Sequence, residues 1–259
     1  LSIRRQRQMC IRDRACGETG DGRMLEPEEL LQALAGVLTP KKLRGHHVLV
    51  TAGPTFEPLD PVRGLTNRSS GKMGFAIAQA AQLAGAQVIL VAGPVHVPTP
   101  FGVQRINVET AQDMLAAVQA HADQATVFVA CAAVADWRAA DVAAQKIKKD
   151  ASGQPPSLRF TENPDILATV ARSPRAQSGA LYCVGFAAES EALADNAKAK
   201  RVRKGVPLLV ANLGPQTFGR DDNALLLVDA HGLTELPTAS KATLARQLVD
   251  ELAQRVQPG

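Results

Sequence analysis

The sequence predicts an α/β fold in which a mostly parallel sheet is doubly wound, with helices on both of its faces. Two observations predict it. Short segments that are apolar throughout, such as residues 47–51 (HVLVT), 87–92 (QVILVA) and 126–133 (TVFVACAA), alternate with segments of helical periodicity. A strand without polar alternation is buried on both faces, as parallel sheets require and half-exposed antiparallel sheets do not. Aromatic residues are only 3% of a chain that is 46% hydrophobic, so the core is built from Ala, Val, Leu and Ile, which suit close packing of helix on sheet. Together these describe a Rossmann-like architecture.

The elements follow in order. Residues 1–14 (LSIRRQRQMCIRDR) have neither strand nor helix period and read as disordered or foreign to the fold. Residues 15–25 form a Gly-rich loop, 26–38 a helix and 40–45 a polar linker. Strand 47–51 runs into a Gly-Pro turn, and helix 74–84 carries Gly85 at its C-terminal end, where a left-handed residue is favoured. Strand 87–92 ends in a second Gly-Pro and leads to helix 111–122 and strand 126–133. Helix 164–172, strand 181–186, the charged helix 189–204, strands 207–211 and 224–229, and helix 241–256 complete the chain. In such sheets ligands bind beyond the carboxyl ends of the strands, so the residues that follow strands are the informative ones.

Composition narrows the function only a little. A length of 259 residues suits one large domain, or a domain plus a fragment, and 21% charged residues mark a folding chain. The net charge of +4 draws on Arg4, Arg5, Arg7, Arg12 and Arg14, and suits phosphorylated small molecules as well as nucleic acid. Cys10, Cys16, Cys131 and Cys183 make no CxxC pair and have no histidine cluster beside them, which argues against zinc. Cys131 and Cys183 lie in apolar runs as free thiols, and with no signal peptide a reducing, cytoplasmic setting is expected. Apolar runs such as 127–134 are too short to span a membrane, so no membrane partner is expected.

Five segments carry chemistry. After the first strand, residues 53–74 end in Asn67-Arg-Ser69-Ser70-Gly71-Lys72-Met-Gly74, opening onto a helix whose N-terminal N–H groups suit an anion. Capping by Ser69 or Ser70 is an equally good and compatible reading. Neither standard phosphate motif is present. No GxGxxG follows the strand, and the Gly64–Gly71 spacing and Met73 break the Walker A pattern. At the end of the third strand, Ala132 and Ala133 leave room for a ligand against the backbone, and Asp136 offers a carboxylate to a metal, a ribose hydroxyl or a turn. Lys146-Ile-Lys148-Lys149 precedes the polar stretch 150–157, either a lid over phosphates or a solvated charge run. Asn163-Pro164-Asp165-Ile166 opens a helix, with Asn163 as cap and Pro164 at the first helical position. Phe186 ends a strand, and Lys200 and Lys204 share a face of the helix after it.

Two rival readings are weak. A nicotinamide-dependent oxidoreductase lacks the glycine fingerprint. A nucleic-acid protein using the basic N-terminus and residues 198–204 lacks exposed aromatics and any recognised motif, so no nucleic-acid partner is expected.

Taken together, TAGPTFEPLDPVRGLTNRSSGKMG, ACAAVADWRAADVAAQKIKK, ENPDI, VGFAAE and the helix ending KAKRVRK closely resemble phosphopantothenate–cysteine ligase, the ligase half of the bacterial bifunctional coenzyme A biosynthesis proteins. The resemblance runs in family order over about residues 46–255, and departs where Thr66 stands in place of the usual serine. Residues 15–27 (ACGETGDGRMLEP) resemble the end of the FMN-dependent phosphopantothenoylcysteine decarboxylase, with Cys16 on its catalytic cysteine. The resemblance implies a truncated bifunctional chain: 1–14 unmatched, 15–42 a decarboxylase remnant with linker, and 43–259 the ligase domain. Cys16 would be inert without the flavin site.

The resemblance implies a two-step activity. CTP activates the carboxylate of 4′-phosphopantothenate as an acyl-cytidylate, releasing pyrophosphate, and the amine of L-cysteine then displaces CMP. It assigns catalysis to Asn67 and Lys146, with Asn67 on the activated intermediate and Lys146 on the triphosphate. It assigns nucleotide contacts to Asp136, Asn163, Pro164, Asp165, Ile166, Phe186, Lys200 and Lys204. Arg63 would meet the 4′-phosphate, Asp136 would be the protein ligand of Mg2+, and the ligase domain would form a homodimer. The use of CTP rather than ATP rests on the resemblance alone.

Overall fold

Alternation along the first strand, β1 (His47–Ala52), decides how the chain winds. Val48, Val50 and Ala52 face one core and Leu49 the other, all nearly sealed from water. The computed structural model describes residues 27–148, 156–189, 191–213 and 220–256. The chain divides into two units, residues 1–38 and 39–259. In the first, the described part is helix α1 (Pro27–Leu38), within the helix expected over 26–38. The expectations for residues 1–25 lie outside the described residues.

In the second unit β1 lies between β4 (Gln87–Ala92) and β6 (Val127–Ala130), parallel to both. β5 (Gln104–Asn107) extends the sheet past β4, and β9 (Tyr182–Glu189) and β10 (Leu208–Leu213) extend it past β6, again in parallel. β11 (Asp222–Val228) and β12 (Leu233–Ser240) finish that edge antiparallel, giving the order β12-β11-β10-β9-β6-β1-β4-β5. Helices α2 (Lys72–Leu83) and α7 (Lys241–Arg255) cover the Val48 side through Phe75, Ile77, Leu244 and Leu248. Helices α3 (Ala111–Ala122), α4 (Ile166–Ala171) and α6 (Leu193–Lys204) cover the Leu49 side through Met114, Val118, Ile166 and Ala197. The mostly parallel, doubly wound sheet is therefore present. Two small hairpins, β2 (Phe56–Pro58) with β3 (Gly64–Thr66) and β7 (Trp137–Ala139) with β8 (Phe160–Glu162), and a short helix, α5 (Pro174–Gln177), lie in the connections. Among the described residues no helix is long and apolar enough to cross a membrane.

Several local expectations are corrected. Neither Ser69 nor Ser70 caps α2; the cap is Gly71, at φ 74°, without a side-chain bond to the helix. Asn163 and Pro164 do not open α4. Asp165 is its cap, accepting the Ala168 N–H at 2.9 Å, while the Asn163 amide is drawn to the Ala135 carbonyl. The helix expected over 189–204 starts only at Leu193, because β9 continues to Glu189. The strand expected over 224–229 is present as β11, and its antiparallel pairing with β10 lies within a sheet that is mostly parallel, as expected. As expected, Gly85 closes the α2 segment in the left-handed region, at φ 95°.

The two Gly-Pro turns lie against each other. A Cβ on Gly93 would fall 1.8 Å from the Pro54 carbonyl oxygen, so the Gly93 backbone tolerates no side chain. Gly93→Ala must spread two loops at the carboxyl ends of β1 and β4. It is expected to cost about 1–3 kcal/mol and to lower Tm by several degrees in thermal unfolding. An unchanged Tm would mean that the turns part freely.

Candidate functional site

The chain leaves β1 for β4 and β5 on one side and then crosses to β6 on the other, so the direction of winding reverses between β1 and β6. A crevice opens at such a point because successive connections diverge there. Here it is a cavity of about 790 Å³, beyond the carboxyl ends of β1, β6 and β9.

One wall is the entry to α2. Ser69, Ser70, Gly71, Lys72 and Gly74 all line the cavity. The Ser69 hydroxyl accepts the Gly71 N–H at 3.3 Å, but Gly71 itself has no side chain to spend on the first turn of α2, whose N–H groups and positive dipole end lie at the cavity wall. Gly74 allows this close approach, since a Cβ there would lie 2.5 Å from that of Ala52.

The floor is backbone. β1 and β6 keep pairing past their ends: Ala133 donates to the Gly53 carbonyl at 2.8 Å and accepts from Thr55 N–H at 3.2 Å. The same Ala133 oxygen accepts the Asn67 side-chain N–H at 2.9 Å. Thr51 and Thr55 hydroxyls hold the Ala132 and Ala135 amides at 3.3 and 3.0 Å. The segments around Asn67 and Ala132–Ala133, far apart in sequence, thus meet in one surface. Asp136 stands at its rim, exposed, and its main-chain oxygen accepts the Asn163 N–H at 2.8 Å.

The facing wall brings together Asn163, Pro164, Asp165, Ile166, Phe186, Lys200 and Lys204. Lys204 is ion-paired with Asp165, and Lys200 lies 3.3 Å from Glu189. Burial works against the charge of Asp165, but the Lys204 ammonium and the Ala168 N–H hold its carboxyl below the ordinary value. Arg138 donates to the Glu162 carbonyl and to Asn163 Oδ1, fixing the strand that leads into this wall.

Lys146 and Arg63 are not among the lining residues. Lys146 is exposed, on the segment just past β7. Arg63 is held by Asp60, through Nε at 3.0 Å and Nη2 at 2.6 Å. Cys16, Lys149 and most of the stretch read as a lid lie outside the described residues.

Electrostatically the cavity favours anions: Lys72, Lys200, Arg203, Lys204 and Lys241 all reach it. Burial and the neighbouring Lys72 charge hold the Lys241 ammonium below its ordinary pKa. Burial pushes the Cys131 thiol up to about 12, so it stays protonated near neutrality and is no nucleophile.

Comparison with known proteins settles the family. A family model described as the DNA/pantothenate metabolism flavoprotein C-terminal domain matches residues 43–256. The chain belongs to that family. Two curated relatives of this flavoprotein C-terminal domain are coenzyme A biosynthesis bifunctional proteins CoaBC. The one from Vibrio cholerae is 48% identical over 90% of this chain and 58% of its own length. That from Escherichia coli K12 is 46% identical over 93% of this chain and 60% of its own. The chain therefore spans about 60% of these relatives. Among solved structures, the C-terminal domain of a CoaBC protein superposes with a TM-score of 0.70 at 35% identity, covering 83% of this chain and 97% of that one.

In this flavoprotein C-terminal domain the structure also recruits residues the sequence did not single out as site residues. Lys72 lines the cavity with its ammonium 2.6 Å from Asp221, and Lys241, Arg203, Asn212 and Asn223 line it too. Asn212 had a readable signal, a polar residue directly after the apolar strand expected over 207–211. Lys241 had none, because it arrives only through the antiparallel turn of β11 and β12.

Proposed function

We propose that this chain is a phosphopantothenate–cysteine ligase domain, joining 4′-phosphopantothenate to L-cysteine at the expense of CTP. The observation that carries the reading is the cavity itself. It sets a helix N-terminus capped by a glycine on one wall and a lysine-rich wall on the other, with Asn67 bound to the strand floor between them. The names of the bifunctional coenzyme A relatives support the same reading.

A carboxylate resists attack because its charge repels a nucleophile, and a mixed anhydride with CMP removes that barrier. In this reading the α2 N-terminus and Lys146 stabilise the triphosphate as pyrophosphate leaves. Asn163 to Ile166 and Phe186 hold the base, and Lys200 and Lys204 hold the nucleotide's anionic part. Asn67 orients the acyl-cytidylate for the cysteine amine, and Arg63 takes the 4′-phosphate through the face that Asp60 leaves free. Among the described residues no three metal-binding side chains gather. A lone exposed carboxylate, Asp136, nevertheless fits Mg2+, which is commonly held by one or two carboxylates and the phosphates of its substrate. The ion would supply charge neutralisation on the triphosphate.

The same reading makes residues 43–259 the ligase domain, working as a homodimer, and residues 15–42 the end of an FMN-dependent decarboxylase that holds Cys16. It places the protein in the cytoplasm.

Pyrophosphate release with 4′-phosphopantothenate and Mg2+ tests the reading, comparing CTP with ATP, with and without cysteine. Release with CTP, and a cysteine adduct by mass only when cysteine is present, are the expected results. Folded protein that releases none with either nucleotide would overturn it.

A further inference from the structure

The loop between β2 and β3 and the segment bearing Lys146 meet on one buried carboxylate. Asp60 is 2% exposed and accepts the Val62 and Arg63 N–H groups, both at 2.8 Å. It also accepts Arg63 Nε and Nη2, and the N–H of Ile147 at 3.1 Å, a residue 87 positions away. Arg63 Nη2 donates in turn to the Ile147 carbonyl at 2.7 Å, and Ala143 N–H donates to the Leu59 carbonyl at 3.0 Å. Both backbone groups of Ile147 are therefore held, between two exposed lysines, Lys146 and Lys148. The Arg63 guanidinium holds the Asp60 carboxyl well below the usual carboxylate range, so the anchor stays charged near neutral pH.

A loop that only needed closing would be served by the Val62 and Arg63 amides. The extra bonds run to the residue beside Lys146, and from an arginine four residues before Asn67. We propose that Asp60 is a positioning residue for Lys146: with Arg63 it pins Ile147, and so fixes where the Lys146 ammonium is presented. The proposal rests on the role given above to Lys146. It also couples the two halves of the site, since the same carboxylate sets the loop leading to Asn67.

Asp60→Asn keeps the shape, loses the charge and turns one acceptor into a donor, which faces either the Arg63 guanidinium and the Ile147 N–H, both on Oδ2, or the Val62 and Arg63 main-chain N–H groups on Oδ1. In the unmodified protein, hydrogen exchange is expected to protect the Ile147 amide well above that of Lys148, since a held amide opens rarely. Equal exchange at the two would remove the clamp without any variant. In Asp60→Asn, Ile147 is expected to exchange about tenfold faster or more, while the Ala111 amide, held by Glu57 at 2.9 Å, keeps its rate. The kcat for pyrophosphate release is expected to fall about 10- to 100-fold with a near-constant KM for CTP, as misplacement of a catalytic group does. In a Lys146→Gln background the same change is expected to add little, because two residues acting through one ammonium are not additive. An equal multiplicative loss in both backgrounds would mean that Asp60 does not act through Lys146. If the unmodified protein released no pyrophosphate, the assignment of function would fail, while the Ile147 exchange would still decide the clamp.

Discussion

Asn67→Asp is expected to leave acyl-cytidylate formation nearly intact and to slow its conversion by about 10²- to 10³-fold, the usual cost of losing one oriented donor. The argument starts from the 2.9 Å bond between the Asn67 amide and the Ala133 carbonyl. Aspartate has no N–H, so an oxygen would face an oxygen, and the side chain must swing away or take up a proton. A carboxylate beside a phosphate-bearing intermediate also repels it. Folding should be almost untouched, because Asn67 is exposed and Ala133 keeps its bond from Thr55. A stability change within about 0.5 kcal/mol is expected. Quenched reactions read by mass check this: the variant should accumulate the acyl-cytidylate even with cysteine present. Normal steady-state ligation would take Asn67 out of the mechanism.

The fold was legible because its central strands are apolar on both faces, a pattern that depends on burial alone. Residues 47–51, 87–92 and 207–211 could hardly be anything else. What stayed hidden is what lies at edges. β12 carries Pro237 and mostly exposed residues, and β5 is polar, so neither has a burial signal. β7 and β8 are three residues each and exist only because the chain folds back on itself. The misread caps show another limit. Asn163-Pro164 is a sound helix start by local chemistry, but Asn163 finds a better partner in the Ala135 carbonyl, and Asp165 takes over the cap.

The site was legible in its parts and not in its assembly. That Asn67 would reach Ala133 depends on β1 and β6 continuing to pair beyond their ends, a fact of register rather than of motif. The lysines divide by the same logic. Lys200 and Lys204 sit on a helix following a strand and could be anticipated, whereas Lys241 needs the antiparallel β11–β12 ribbon to bring it round. Arg63 shows the reverse: a residue assigned to substrate spends two of its donors on Asp60 and one carbonyl. In the proposed reading its remaining donors would meet the 4′-phosphate, in an orientation that Asp60 dictates.

Lys146→Gln is expected to have the largest effect on the first step, lowering pyrophosphate release by about 10²- to 10³-fold. A unit charge near a phosphate oxygen at 4 Å is worth roughly 4 kcal/mol at an effective dielectric of 20, and part of that exists already in the ground state. The decisive comparison is Lys148→Gln. Lys148 is also exposed and flanks the same pinned Ile147. If the lysines merely supplied a basic field, both changes would cost a similar, salt-sensitive few-fold. If Ile147 is held so that one ammonium is aimed, Lys148→Gln should cost less than about threefold, and Lys146→Arg should recover only part of the loss, since a planar guanidinium does not replace a point charge. Single-turnover pyrophosphate release at two ionic strengths separates these outcomes. Equal losses at the two lysines would return the run to the status of a solvated charge cluster.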